Sequence, residues 1–285
     1  MGIGAGAAEL RRPLASSVEM GDRTELHPGE LPGDEPSDAT TPLLAFENVS
    51  KRYSEAGREI LALDRVSFEI HAGAFVAVYG ARQSGKSTLL RLMAGIEAPT
   101  TGVVRFEGRD MASISAADRS RILRSHAAFV SPHDWSSGPG ERVVDHVILA
   151  AASKGMRLRE ARRRAQLMLA EVDLAGRAEE PSKLLAPIDR MRVMLAQALI
   201  REPSLLLLDE PAVFPSPSDK DAFLGWLRAL VQERQMTLVI ASVDMHALQG
   251  ATELMSIADG ELISTAPQGT VVAFPRRGAG ERQVR

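Results

Sequence analysis

One stretch of this chain constrains its fold more than any other: the apolar run Phe75–Tyr79, which is followed at once by the residues GARQSGKST. Four residues separate Gly80 from Gly85, and the residues KST come directly after the second glycine. A buried strand that ends in such a turn lets backbone N–H groups curl around phosphate oxygens, and the next helix points its positive end at the same anion. The spacing therefore predicts a complete phosphate-binding loop between a strand and a helix.

Each part of this loop has a predicted role in holding a nucleoside triphosphate. Lys86 is expected to reach the β and γ phosphates, Ser87 to bind Mg²⁺ through its hydroxyl, and Thr88 to contact the α-phosphate side. The backbone cradle comprises Gly80, Ala81, Arg82, Gln83, Ser84 and Gly85. The alternative is a glycine-rich turn that precedes a helix by chance, and it does not account for both glycines, the lysine and the serine together.

A second apolar run, Leu205–Leu208, ends in Asp209 and Glu210. A short continuous apolar run is typical of a strand buried on both faces, and acids at the carboxyl end of such a strand face the ligand crevice of an α/β sheet. Asp209 is therefore predicted to hold Mg²⁺, directly or through water, and Glu210 to take a proton from an attacking water. An ion pair on a loop is the alternative for these acids.

Composition excludes several classes of protein. The chain has 285 residues, of which 45% are hydrophobic, and this is enough for one α/β core with a smaller attached lobe. The absence of cysteine excludes disulfides, thiolate metal sites and a cysteine nucleophile. A formal net charge of -3 argues against nucleic acid as a partner. No apolar run approaches the roughly 18 residues that span a bilayer, so the chain is expected in the cytoplasm unless a partner holds it at a membrane.

The chain is predicted to divide into three regions. Residues 1–42 are rich in Gly, Ala, Pro and acid and are predicted to be a disordered leader, with a docking arm as the alternative. Residues 275–285 are predicted to be a disordered basic tail. Between them, alternating apolar residues before the phosphate-binding loop predict an antiparallel flap, and Asp259-Gly260 predicts a hairpin turn. Helices are predicted over residues 141–175, 191–200 and 220–232.

Several longer stretches resemble one known family. They are GARQSGKST, LLRLMAGIEAPTTG, EARRRAQLMLAEVDL, RVMLAQALIREPSLLLLDEP and ADGELI, and the match as a whole runs from about Leu43 to Phe274. They are similar to the ATP-binding subunit of ABC transporters, and ILALDRVSFEI and DRSRILRSHAAFV are most similar to the lipoprotein-release, macrolide-export and cell-division branch. The resemblance implies an ABC ATP-binding domain over residues 43–274, with ATP and Mg²⁺ as its ligands.

The resemblance also implies an architecture and an adenine contact. The fold class is α/β: a RecA-like core with the phosphate-binding loop, an antiparallel β flap, and a helical subdomain at about residues 131–189. Two such subunits close head to tail, with ATP between the phosphate-binding loop of one and the signature loop of the other. By the same resemblance, Tyr53 at the end of the first β run becomes the residue that stacks on adenine.

This chain departs from the family pattern at four motifs. Ser131 stands where the family has a glutamine, and it is too short to touch both magnesium and water. Residues 185–189 read LAPID where the family has the signature LSGGQ, so a hydroxyl and a backbone N–H are lost at Ala186 and Pro187. Asp189 is predicted either to cap the helix that follows or to lie near the phosphate, where it would repel it.

The last two departures concern the dimer interface and the γ-phosphate. Residues 213–216 read VFPS, without the carboxylate of the family's Ser-Ala-Leu-Asp turn, and Val243 replaces the family's histidine. Val243 cannot donate a side-chain hydrogen bond, and His246, on a helix, is predicted to face away.

These observations predict an ATP-binding subunit with an intact phosphate-binding loop and weakened or partner-dependent hydrolysis. The predicted partners are an integral membrane transporter subunit and a second ABC ATPase subunit, an unlike one rather than a second copy. The predicted location is the cytoplasmic face of the cell membrane. The alternative is a non-hydrolysing, nucleotide-gated structural subunit that is paired with an active ATPase.

Overall fold

The computed structural model describes residues 41–55, 57–138, 140–211, 214 and 216–267 of the chain. These residues form ten strands and six α-helices. In chain order they are β1 (Leu44–Glu55), β2 (Arg58–Ile70), β3 (Phe75–Tyr79), α1 (Lys86–Met93), β4 (Thr101–Phe106), β5 (Arg109–Asp110), α2 (Ala116–His126), β6 (Ala127–Val130), α3 (Val143–Ala152), α4 (Leu158–Glu171), α5 (Pro187–Leu199), β7 (Leu205–Asp209), α6 (Pro217–Glu233), β8 (Thr237–Ser242), β9 (Glu253–Ala258) and β10 (Glu261–Pro267). The predicted leader, except its last two residues, and the predicted basic tail lie outside the described residues.

The larger sheet has the strand order β10-β9-β3-β8-β7-β6. Its strands from β9 to β6 run parallel, and β10 is an antiparallel edge strand. Alternate residues of each central strand pack on opposite faces: in β7, Leu205 and Leu207 join the cluster that contains α1, while Leu206 and Leu208 join the cluster that contains α5 and α6. Because helices cover both faces, these strands are continuous apolar runs, as the sequence predicts.

The flap is a second sheet, antiparallel throughout, with the order β2-β1-β4-β5. Val66, Phe68 and Ile70 point into the core while the residues between them are exposed. The α/β fold class with an antiparallel flap is therefore confirmed.

The helical subdomain differs from its prediction at two boundaries. The stretch 141–175 forms two helices, α3 and α4, because the chain turns between them and Gly155 adopts a left-handed φ of 82°. The helix predicted to begin at Met191 begins at Pro187 instead. Proline suits the first turn of a helix, where its missing N–H costs no hydrogen bond. Among the described residues, no helix is both long enough and apolar enough to cross a bilayer.

Candidate functional site

The predicted site residues meet at one edge of the larger sheet. Strands β3, β8 and β7 are neighbours and run in the same direction, with Tyr79 opposite Ser242 and Asp209 opposite Ala241. Parallel strands present their carboxyl ends at a common edge, which is where ligands bind in open α/β sheets. The phosphate-binding loop follows β3, and Glu210 follows β7, so the topology brings together what the sequence separates by more than a hundred residues.

The phosphate-binding loop requires both of its glycines. A Cβ atom on Gly80 would lie 2.4 Å from a backbone carbonyl of β9. Gly85 has a φ of 107°, and a Cβ atom there would lie 2.5 Å from a backbone carbonyl of β2. The loop is also braced from outside, because the Gly260 N–H in the β9–β10 turn donates to the Ser84 carbonyl at 3.0 Å. The backbone of the loop is thus shaped by its neighbours before any ligand binds.

Lys86 is buried in this loop, with 5% of its surface exposed. Its Nζ donates to the carbonyls of Gly80 at 3.0 Å and Ala81 at 2.8 Å, and it lies 3.4 Å from Oε1 of Glu210. The lysine therefore joins the loop to the acid that follows β7. Ala81, Arg82 and Gln83 are exposed, and Arg82 and Gln83 line the cavity in front of the loop.

Asp209 and Ser87 are also brought together. Asp209 is 2% exposed and accepts a hydrogen bond from Ser87, yet its Oδ1 has no hydrogen-bond partner among the described residues. Burial raises the pKa of Asp209, and the Ser87 hydrogen bond opposes this rise. A buried carboxylate oxygen without a partner, next to a hydroxyl, is a donor set that suits Mg²⁺, which prefers oxygen ligands.

Glu210 is held by three groups at the end of β8 and in the loop. Its Oε2 accepts from the Ser242 hydroxyl at 3.3 Å and from the Val243 backbone N–H at 3.3 Å, while Oε1 faces Lys86. The Asp244 N–H in turn donates to the Ser242 hydroxyl at 3.1 Å. The carboxylate is therefore oriented by a serine and a backbone N–H that sequence reasoning did not single out.

Tyr53 lies beside the helix that begins in the loop. Its hydroxyl donates to Glu97 at 2.6 Å and lies 3.4 Å from the Thr88 hydroxyl. Lys51 Nζ lies 5.1 Å from the centre of the tyrosine ring. Burial, followed by the hydrogen bond to Glu97, raises the pKa of the Tyr53 hydroxyl. The structure therefore places the Tyr53 hydroxyl beside Thr88, the last residue of the GKST segment. The predicted contact of the tyrosine ring with adenine stays a prediction.

A cavity of about 580 Å³ opens in front of the loop and reaches the helical subdomain. Its lining includes Lys86 and Ser87 from the loop, Glu210 after β7, and Arg190 and Met194 from α5. His133, in the turn after β6, also lines it. The sequence patterns did not indicate Arg190 or His133 as site residues, because neither belongs to a motif that predicts phosphate binding.

Residues 63–213 match the family model described as ABC transporter. The chain belongs to this family. It is 34% identical over 232 residues to the phosphonates import ATP-binding protein PhnC of Bdellovibrio bacteriovorus, covering 78% of this chain and 87% of that protein. It is 31% identical over 229 residues to the lipoprotein-releasing system ATP-binding protein LolD 2 of Rhodospirillum rubrum, covering 80% and 99%.

A solved structure of an ABC cassette agrees with the fold. The dimeric structure of the ATP-binding cassette MJ0796 bound to ADP and Pi matches with a TM-score of 0.73 and 25% sequence identity, covering 79% of this chain and 98% of that chain. The predicted ABC family and RecA-like fold are confirmed. The similarity to the lipoprotein-releasing system protein LolD 2 also confirms the predicted branch of the family.

The segment at the position of the ABC signature begins a helix, and one prediction about it is wrong. Ala186 is the N-cap residue of α5, and Asp189 lies three residues further on, inside the first turn. Asp189 therefore does not cap the helix. Its carboxylate instead pairs with Arg177 at 2.5 Å and with Arg192 at 3.4 Å, and it gains from the positive end of the helix.

The other motif positions are placed as follows. Ser131 is 2% exposed and accepts from the His133 N–H at 3.4 Å, so its hydroxyl serves a 3-10 turn. In the segment 213–216, Phe214 packs on Phe223 with ring centres 5.1 Å apart, and residues 213 and 215 lie outside the described residues. His246 falls in a 3-10 turn, Met245–Leu248, and its side chain also lies outside the described part.

Proposed function

We propose that this chain, the ATP-binding subunit of an ABC transporter, binds Mg²⁺-ATP at its phosphate-binding loop and hydrolyses it slowly or only with a partner. One observation carries the proposal: Ser87, Lys86, Asp209 and Glu210 converge at one sheet edge, and a buried Asp209 oxygen there lacks a partner. These residues would bind the phosphates and the metal, with Tyr53 against the adenine.

The chemistry assigned to each residue follows from its contacts. Ser87 and Asp209 would hold Mg²⁺, which as a bound cation neutralises charge on the phosphate oxygens. Lys86 would exchange its carbonyl contacts for phosphate oxygens, because a charge-assisted hydrogen bond is stronger than one to a neutral carbonyl. Release from Lys86 would leave Glu210 held by Ser242 and the Val243 N–H, oriented to accept a proton from water.

Three features support weakened hydrolysis. The Val243 side chain offers no hydrogen bond to a γ-phosphate, and the buried hydroxyl of Ser131 caps a turn. Pro187, at the first position of α5, offers no N–H to a partner's nucleotide. Loss of one preorganised donor at a reacting centre costs about 3 to 4 kcal/mol, or a rate factor of several hundred.

The partners and location follow from family membership. ABC ATP-binding subunits are peripheral proteins on the cytoplasmic face of the membrane, attached to an integral membrane subunit, and we propose the same attachment here. A second ATPase subunit would complete each nucleotide site. An unlike subunit is favoured over a second copy, since two copies would carry the LAPID and Val243 departures in both sites.

The test is steady-state ATP turnover by the purified complex. If Glu210 is the base, Glu210→Gln lowers the rate about a hundredfold or more, while ATP binding persists. Equal rates in the two proteins would remove Glu210 from the mechanism.

The second candidate, a nucleotide-gated subunit without useful turnover, is favoured by the simultaneous departures at Ser131, LAPID and Val243. It predicts that Val243→His leaves turnover unchanged. A clear rise in turnover in that variant would instead favour the eroded ATPase.

A further inference from the structure

Tyr53 belongs to a polar cluster that connects the flap to the loop after α1. The tyrosine hydroxyl donates to the Glu97 carboxylate at 2.6 Å, and the same carboxylate pairs with Lys51 Nζ at 3.1 Å. The side chains of Lys51 and Glu97 are only 16% and 22% exposed. Because partly buried charges are screened less by solvent and salt, this pair holds the carboxylate more firmly than an exposed ion pair would.

Glu97 lies on a segment that is bonded both to α1 and to β1. Its backbone N–H donates to the Arg91 carbonyl of α1 at 3.3 Å. Further along the segment, the Thr100 N–H donates to the Ser50 carbonyl of β1 at 2.8 Å. Since α1 begins in the phosphate-binding loop, this segment fixes the position of Tyr53 relative to that loop.

Lys51 contacts one face of the tyrosine ring. Its Nζ lies over the Tyr53 ring, 5.1 Å from the ring centre, and also donates to the Ala98 carbonyl at 2.9 Å. A cation at this distance is attracted to the face of an aromatic ring. Because the lysine occupies one face, the opposite face is the one on which a base would stack.

We propose that Glu97 is a positioning residue for the nucleotide base: it holds the Tyr53 hydroxyl and thereby orients the ring for stacking on adenine. The inference rests on the proposed nucleotide site and adds the residue that fixes its adenine contact. Without Glu97, the ring could turn between side-chain rotamers, and nucleotide binding would have to stop this motion at a cost in affinity. A hydrogen bond to a carboxylate suits this task, since it is stronger than one between neutral groups.

The test compares ATP with inorganic triphosphate, which lacks the base and the ribose, by calorimetric titration of the full chain in the presence of Mg²⁺. In Glu97→Ala, the affinity for ATP is expected to fall about fivefold to tenfold, while the affinity for triphosphate changes by less than about twofold. Glu97→Gln keeps an oxygen that accepts from the tyrosine hydroxyl and should recover part of the loss. Glu59→Ala is the matched control, because Glu59 pairs with Arg52, the neighbour of Tyr53 in β1, and it should leave both affinities unchanged.

A double-mutant cycle tests whether Glu97 acts through the tyrosine hydroxyl. Tyr53→Phe keeps the ring but removes the hydroxyl, so it should lose about as much ATP affinity as Glu97→Ala does. When Tyr53→Phe is already present, the further change Glu97→Ala should then have little additional effect. Full additivity of the two losses would overturn the inference.

The outcomes separate this inference from the proposal on which it rests. Unchanged ATP affinity in Glu97→Ala, or an equal loss of ATP and triphosphate affinity, overturns the inference but leaves nucleotide binding in place. If the wild-type chain binds triphosphate as tightly as ATP, the adenine contact and this inference both fail while phosphate binding stands. If it binds neither, the proposed function fails as well.

Discussion

Replacement of Gly85 by alanine tests the shape of the phosphate-binding loop. Gly85 has a φ of 107°, where a residue with a Cβ atom is strained by about 1 to 3 kcal/mol. The new methyl group would also lie 2.5 Å from the Ala62 carbonyl, a backbone atom that cannot move aside without shifting β2. The shift of β2 that would relieve this contact costs about 1 to 3 kcal/mol more. Backbone strain and steric cost together should lower the free energy of unfolding by about 4 kcal/mol.

Gly73→Ala is the matched control for this substitution. Gly73 also has a positive φ, of 79°, but a Cβ atom there would meet nothing within 4 Å. It should therefore show the backbone strain alone. At about 2 to 4 °C per kcal/mol, the melting temperature should fall by roughly 12 °C in Gly85→Ala and by roughly 6 °C or less in the control.

Thermal unfolding of the full chain, followed by circular dichroism, measures both values, and titration with ATP measures the loop. Gly85→Ala should also lose ATP affinity, whereas Gly73→Ala should retain it. Equal melting temperatures in the two variants would refute the steric argument, and wild-type ATP affinity in Gly85→Ala would refute the assignment of the loop.

Three further predictions concern side chains at and behind the site. Asp209→Asn should lose the Mg²⁺ dependence of ATP affinity without loss of stability, because burial already disfavours the charged form of this acid; a lower melting temperature of the ligand-free variant would contradict this. Ser242→Ala should lower ATP turnover about tenfold at unchanged ATP affinity, and Ser242→Thr should restore it, because the hydroxyl positions Glu210; an equal loss in both variants would indicate a packing role instead. Burial lowers the pKa of His146 and outweighs the opposing effect of the nearby acids Glu141 and Asp145. The folded protein therefore binds this proton less readily than the unfolded chain does. Stability should be full above the ordinary histidine pKa of about 6.5 and should fall as the pH drops from that value towards the lowered pKa. Melting temperatures at several pH values should show this fall in the wild type and a smaller fall in His146→Gln.

Much of the fold could be predicted from the sequence because its signals are local. The central strands are continuous apolar runs, and the phosphate-binding loop has a spacing that few other structures use. The start of α5 was harder to place, because the segment LAPID resembles a degraded motif more than a helix start. Only the structure shows that Pro187 occupies the first turn and that Asp189 pairs with arginines on two elements.

The site was only partly predictable for a related reason. Asp209 and Lys86 belong to motifs, so their roles follow from spacing. Arg190 and Ser242 carry no motif, and their positions depend on how the helical subdomain and β8 approach the loop. The contact of the Val243 backbone N–H with Glu210 could not be predicted either. The residue type at position 243 indicates only that the histidine side chain of the family is absent.

The identity of the nucleotide that stays bound is the most direct test of the central claim. The full chain would be incubated with Mg²⁺ and a stoichiometric amount of ATP, and the bound nucleotide would be separated and identified at timed intervals. The account predicts that ATP binds and persists, with turnover at least about a hundredfold below the roughly 10 s⁻¹ of a typical enzyme. Conversion to ADP at or above that typical rate by the chain alone, or failure to retain any nucleotide, would contradict it.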